Sequence, residues 1–300
     1  MAVKALRAFL GLTAASFIAT ASAQQSVGTD AASAAGLRSQ YSVVAGQYQR
    51  NPFQRPLRVD SSEGPGGLKG EITALVEHPF AIAVAALDMP SQWCEILILH
   101  LNTKYCRATL EGERAILHVV IGKKYDQPVE EAYRVDFVYR VAAESRDYLQ
   151  VRLTADEGPL GTRDYRIVLE AAPVEGGRTF MRLSYSYSYG MIARLAMQAY
   201  LATIGSGKVG FTVEGKGLDG EPRYIAGMRG VTERNAMRYY LAVESYLGAL
   251  SVPPRERAEK SFHDWFDAIE RYPRQLHEMQ RHEYLAMKRK EYTRQIAKAT

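Results

Sequence analysis

The stretch Arg178–Gly205, RTFMRLSYSYSYGMIARLAMQAYLATIG, decides how the chain is read. Its first half alternates. Met181, Leu183, Tyr185, Tyr187 and Tyr189 share one parity, and Arg182, Ser184, Ser186 and Ser188 share the other. Period two puts each set on one face of a β-strand. Gly190 breaks the pattern. From Met191 the spacing turns helical, with Ile192, Leu195, Ala196, Ala199 and Thr203 on one stripe. A strand whose inward face ends in three tyrosines thus runs straight into an apolar helix rich in small residues.

Upstream, Leu68–Val76 alternates as a strand, with Leu57–Asp60 read as a strand end and Ser61–Gly67 as a turn. Pro79 opens a short apolar helix (PFAIAVAALD), and Asp88 and Pro90 open a second (SQWCEILILHL). Lys104–Leu110, Ala115–Ile121, Tyr133–Val141, Tyr148–Ala155 and Tyr165–Ala171 follow as strands, before the quoted one and without an intervening helix. The short turns between them predict an antiparallel meander. One apolar and one charged face per strand predicts a sheet covered on one side and wet on the other.

Past Gly205 the pattern predicts a hairpin around Gly215-Lys216-Gly217 and a helix from Thr232 to about Leu250. A further helix carries Phe262, Trp265, Phe266 and Ile269, and Pro273 ends or kinks it. The final segment is highly charged. The expected division is a leader over 1–23, a partly disordered segment over 24–56, a main domain over 57–205 and a hairpin-and-helix extension over 206–300.

The leader reading rests on Lys4 and Arg7, the apolar run Ala8–Ile18 and the Ala21-Ser22-Ala23 cleavage pattern. An uncleaved anchor helix is the alternative. The expectation is an exported protein, periplasmic or secreted. Removing Lys4 and Arg7 lowers the formal charge from +5 to +3, a mild basicity that names no partner. Nucleic acid is disfavoured because no concentrated basic–aromatic groove exists. In an exported chain Cys94 and Cys106 read as a disulfide, with two buried free thiols as the alternative.

The order strand, two short helices, six strands, long helix resembles the START/Bet v1-like superfamily, the helix-grip fold. The resemblance spans roughly 57–205, rests on element order, and carries no short signature motif. It implies an α+β fold in which a curved antiparallel seven-strand sheet grips a long helix, here the one after Gly190, and two short helices close the open side. The C-terminal helical extension departs from the common pattern.

Several signatures fail. Ile204–Val209 lacks the first Gly and the Ser/Thr of a phosphate loop, and His277-Glu278-Met279-Gln280-Arg281-His282 is one residue too long for a zincin helix. There is no GxSxG elbow and no clustered metal-ligand set, so no metal and no cofactor are expected. What remains is tyrosine, 19 residues against 9 Phe. Tyr133, Tyr139, Tyr165, Tyr185, Tyr187 and Tyr189 fall on the apolar parity of their strands. Converging on one concave face they would line a mostly apolar pocket with a few polar points. The alternative is a plain core with each hydroxyl at backbone or rim. Arg194 and Gln198 lie four apart on the helix, off its apolar stripe; they are candidates to meet an anionic head group at the cavity mouth, with a solvent-facing or sheet-edge pair as the alternative. The resemblance implies that the region of Trp93, His100 and Asn102 gates the cavity.

The expected function is a carrier for a hydrophobic, lipid-like ligand. The alternatives are an enzyme on the same fold and a non-catalytic interaction module. No Asp or Glu lies on the inward parity from Ala115 to Tyr189, which weakens a general-base reading. The basic last helix, with Arg281, Lys288, Arg289, Lys290, Arg294 and Lys298, is a candidate for peripheral membrane contact.

Overall fold

The computed structural model describes residues 33–47, 51, 53, 55–203, 205 and 207–297. The expected leader lies outside the described residues. In chain order the elements are α1 (Ala34–Val44), β1 (Leu57–Gly64), β2 (Gly67–Val76), α2 (Phe80–Ala85), α3 (Pro90–Leu97), β3 (Thr103–Glu111), β4 (Arg114–Ile121), β5 (Tyr133–Ser145), β6 (Tyr148–Glu157), β7 (Thr162–Val174) and β8 (Arg178–Tyr189). Then come α4 (Met191–Ala202), β9 (Val213–Lys216), β10 (Pro222–Tyr224), α5 (Gly227–Ala249), α6 (Pro254–Glu270), α7 (Pro273–Leu276) and α8 (Arg281–Ala297).

The main sheet is antiparallel, in the order β1-β2-β8-β7-β6-β5-β4-β3. It has eight strands where the sequence pattern predicts seven. The extra one is β1. Residues 61–64 continue the strand instead of turning, and only Pro65 and Gly66 lie between the paired Gly64 and Gly67. Gly66 adopts φ 74°, the left-handed position that a Pro-Gly turn reserves for glycine. The long alternating strands and the two Pro-initiated helices fall where the sequence places them.

The gripped helix is not where the sequence pattern predicts it. Along α4, Met191, Ile192 and Leu195 are 78, 74 and 60 % exposed, and the helix rests on the 159–161 turn, β8 and α5. The helix held in the sheet is α5, which packs on β1, β2 and β8. Its Ala236, Met237, Tyr240, Leu241 and Ala242 are fully buried. The close approach depends on Gly70 of β2. A Cβ there would meet the Thr232 carbonyl oxygen at 3.0 Å and the Ala236 Cβ at 3.1 Å. Residues on both sides of Gly205 therefore share one hydrophobic core. The long helix packed on the sheet thus comes from beyond β9 and β10.

The outer face of the sheet is wet only in part. Leu37 and Val44 of α1 pack on Leu75, Tyr148, Ala172 and Phe180 in a second small core. Thus α1 lies within the segment the composition reads as partly disordered. Cys94 and Cys106 are bonded, joining α3 to β3. Beside them α8 covers the edge strand β3, where the Gln295 side chain accepts the Cys106 N–H at 3.0 Å.

If α5 is the gripped helix, Met237→Ala costs about 2–5 kcal/mol, whereas Leu195→Ser changes stability by no more than about 0.5 kcal/mol. Urea unfolding of the two variants checks this; equal losses would return α4 to the core.

Candidate functional site

Alternation brings the tyrosines to one place. On β8 the serines are half-buried, while Leu183, Tyr185, Tyr187 and Tyr189 are buried against the concave side. Tyr185 sits opposite Gly70 of β2. Tyr165 of β7 stacks on Tyr187 with ring centres 5.4 Å apart, and Tyr185 and Tyr189 flank Tyr187 at 5.5 and 6.4 Å. Phe137 of β5 meets Tyr165 edge-on at 6.3 Å. From α5, Tyr239 adds a ring 5.3 Å from Tyr185 and stacks at 4.9 Å on His100, in the loop after α3. The result is one continuous aromatic row from the end of β8 to His100.

Coverage of this row is incomplete. α5 packs on β1, β2 and β8, α2 on β7 and β8, and α3 on β3 and β4. Tyr165 and Tyr239 remain half-buried. Two open depressions lie on the outer face of the sheet, lined mostly by side chains of the outward parity. One, of about 530 Å³, is lined by Leu68 and Tyr187 with Arg166, Ser186 and Ser188. The other, of about 580 Å³, is lined by Tyr165 with Arg152, Thr154, Asp164 and Arg166.

The tyrosine hydroxyls are neutral. Burial raises the pKa of Tyr165, Tyr185, Tyr187 and Tyr239 above the ordinary phenol value. Tyr165 donates to Thr162 Oγ1 at 2.7 Å and Tyr189 to Glu63 at 3.0 Å. The row offers flat apolar surface and neutral hydrogen-bonding groups, a lining suited to holding a molecule.

The other expected site residues lie elsewhere. Tyr133 keeps the inward parity but begins its strand and is 51 % exposed. Arg194 and Gln198 are exposed on α4, since the helix that carries them is not in the grip. Trp93 is buried, and its indole donates to the Leu87 carbonyl at 2.9 Å. Tyr139 donates to the same carbonyl at 3.2 Å, so the two together fix the turn between α2 and α3. Sequence reasoning missed Tyr239, because its position on the concave side depends on which helix is gripped.

Behind His100 lies a buried polar cluster made by the extension. Lys104 of β3 and Lys288 of α8 share Glu291, at 3.0 and 2.7 Å, with all three essentially inaccessible. Lys288 donates to the His100 and Thr103 carbonyls, and Tyr284 to the Leu99 carbonyl at 3.0 Å. So α8 pins the loop that presents His100. The exposed cations of α8 are paired too: Arg281 with Asp267, Arg289 with Glu259 and Lys290 with Asp126.

Among known proteins, no family model matches the sequence. No curated protein matches it either. Solved structures align in part. The human StAR-related lipid transfer protein 5 has 10% identity and a TM-score of 0.31, over 56% of this chain and 89% of that one. A conserved protein of unknown function from Enterococcus faecalis has 8% identity and a TM-score of 0.32, over 75% and 96%. The lipid transfer and protein localization domain of human StarD13 has 8% identity and a TM-score of 0.27, over 51% and 82%. These are partial likenesses, and each name describes that protein alone.

The pin has a pH signature. Burial holds the Lys288 ammonium at about 8, below the ordinary 10.5, with Glu291 opposing the shift and Lys104 adding to it. Between these two values the unfolded chain binds more protons at this residue than the folded one, so its contribution to stability rises with pH. Urea unfolding followed from pH 7 to 10 is expected to show that rise, and Lys288→Met to flatten it. An unchanged slope in the variant would assign the effect to another group.

Proposed function

We propose that the chain is an exported carrier, periplasmic or secreted, that binds a hydrophobic, lipid-like molecule against the tyrosine row, between β5–β8 and α5. One observation carries this reading: within a row whose β8 tyrosines are buried, Tyr165 and Tyr239 stay half-buried, leaving aromatic surface open in its middle. Each ring left partly open offers apolar area that a bound molecule would take out of water. The tyrosines of β8 lead directly into α4, whose Met191, Ile192 and Leu195 are exposed. That places an apolar surface beside the end of the row, where a greasy molecule would enter. Export is the expectation from the leader pattern, and the Cys94–Cys106 bond fits an oxidising compartment.

Organic extraction of the purified chain followed by mass spectrometry is expected to yield a co-purified lipid, and a fluorescent lipid analogue to bind saturably. Tyr187→Ala is expected to weaken that binding at least about tenfold, the equivalent of 1.4 kcal/mol. A chain that yields no lipid and binds no analogue is not a carrier of this kind.

A further inference from the structure

The aromatic row ends at His100, and the chemistry there is unlike the rest of the site. The ring is buried, and its Nδ1 accepts the Asn102 N–H at 3.2 Å. Burial and four surrounding cations (Arg238, Lys288, Lys124 and Lys104) hold its pKa well below the ordinary histidine value, so the ring is neutral. A neutral imidazole that accepts at Nδ1 carries its proton on Nε2. That Nε2–H has no acceptor among the described residues.

The charge around it is one-sided. Glu291 is shared by Lys104 and Lys288. Glu278 is shared by Lys124 at 2.6 Å, Arg238 at 2.7 Å and Lys208 at 3.7 Å. Two carboxylates thus serve five cations, with Lys104, Lys288 and Arg238 essentially buried. A buried donor lacking an acceptor, within a positive excess, favours an anionic oxygen.

We propose that His100 and the cations around it form the head-group end of the site, so that the ligand is an amphiphile with a carboxylate or phosphate head and an apolar tail along the tyrosine row. The proposal rests on the carrier reading and narrows it. The head accepts from His100 Nε2 and lies in the field of Arg238 and Lys124. Tyr239 stands between His100 and Tyr185, so admitting the head requires its half-buried ring to turn aside. Arg194 and Gln198, the pair expected to meet such a head, are exposed on α4 and take no part. The extension acquires a purpose: α8 holds the His100 loop by Lys288 and Tyr284, and α5 supplies Arg238 and Tyr239.

Calorimetric titration of the full chain with dodecanoate, dodecyl phosphate, dodecanol, acetate and inorganic phosphate separates the possibilities. At least one of the two chain-bearing anions is expected to bind tenfold or more tightly than dodecanol, and acetate and inorganic phosphate to bind far more weakly than either. Which anion leads identifies the head. Lys124→Gln, on a half-buried loop side chain that leaves the core intact, is expected to cut the preference over dodecanol severalfold. His100→Leu is expected to abolish it while dodecanol binding persists. Equal affinities for anions and dodecanol would overturn the anionic head and leave the carrier reading standing. Binding of inorganic phosphate as tightly as dodecyl phosphate would overturn the amphiphile. No binding by any chain-bearing probe would remove both readings.

Discussion

Everything in this molecule depends on α5 lying pressed into the concave face of the sheet. The contact is made possible by an absence, the missing side chain at Gly70, which brings the helix backbone to van der Waals distance of β2. Once the helix is there, Met237, Tyr240 and Leu241 fill the space over β1, β2 and β8. On β7 the inward Tyr165 stays half-buried, while Phe137 and Tyr139 of β5 are buried. The same helix serves the fold's core and, through Tyr239, its candidate site.

That grip requires charge to be buried, and each charge has its partner. Glu233 of α5 accepts the Phe211 and Thr212 N–H groups and the Ser61 and Thr212 hydroxyls. Glu244 pairs with Arg55, and Arg238 with Glu278. Burying such groups is costly unless they are paired and hydrogen-bonded. The residues after Gly205 are therefore not an appendage. The segments around 211 and 278 exist in part to satisfy the gripped helix, and α8 repeats the solution with Lys104, Glu291 and Lys288.

The wrong helix was the attractive one in the sequence for a physical reason. The stretch at 191–203 has a clean apolar stripe and few charges. By contrast, α5 carries Arg229, Glu233, Arg234, Arg238 and Glu244 and has no polar face to set against an apolar one. Periodicity assumes that charged residues face water. In α5 they face partners far away in the chain, which no local pattern reveals. The strand candidates were legible because a half-buried antiparallel strand writes its two environments at period two. Tyr185, Tyr187 and Tyr189 fell on the concave side for that reason, and Tyr165 joined them. Tyr133 obeyed the same parity but stands at a strand end, where parity no longer implies cover.

What the amino-acid sequence determined by itself is the meander, the two short helices and the inward parity of the tyrosines, all consequences of backbone periodicity and turn chemistry. Which helix the sheet holds, and hence that Tyr239 joins the row, was decided only in three dimensions. That choice follows from close approach at Gly70 and from ion pairs linking residues more than a hundred positions apart, such as Arg55 with Glu244 and Lys104 with Glu291. His100 shows the difference most plainly. In the sequence it is a lone histidine after a short helix; in the fold it is a buried donor ringed by cations from β3, the 122–126 loop, α5 and α8.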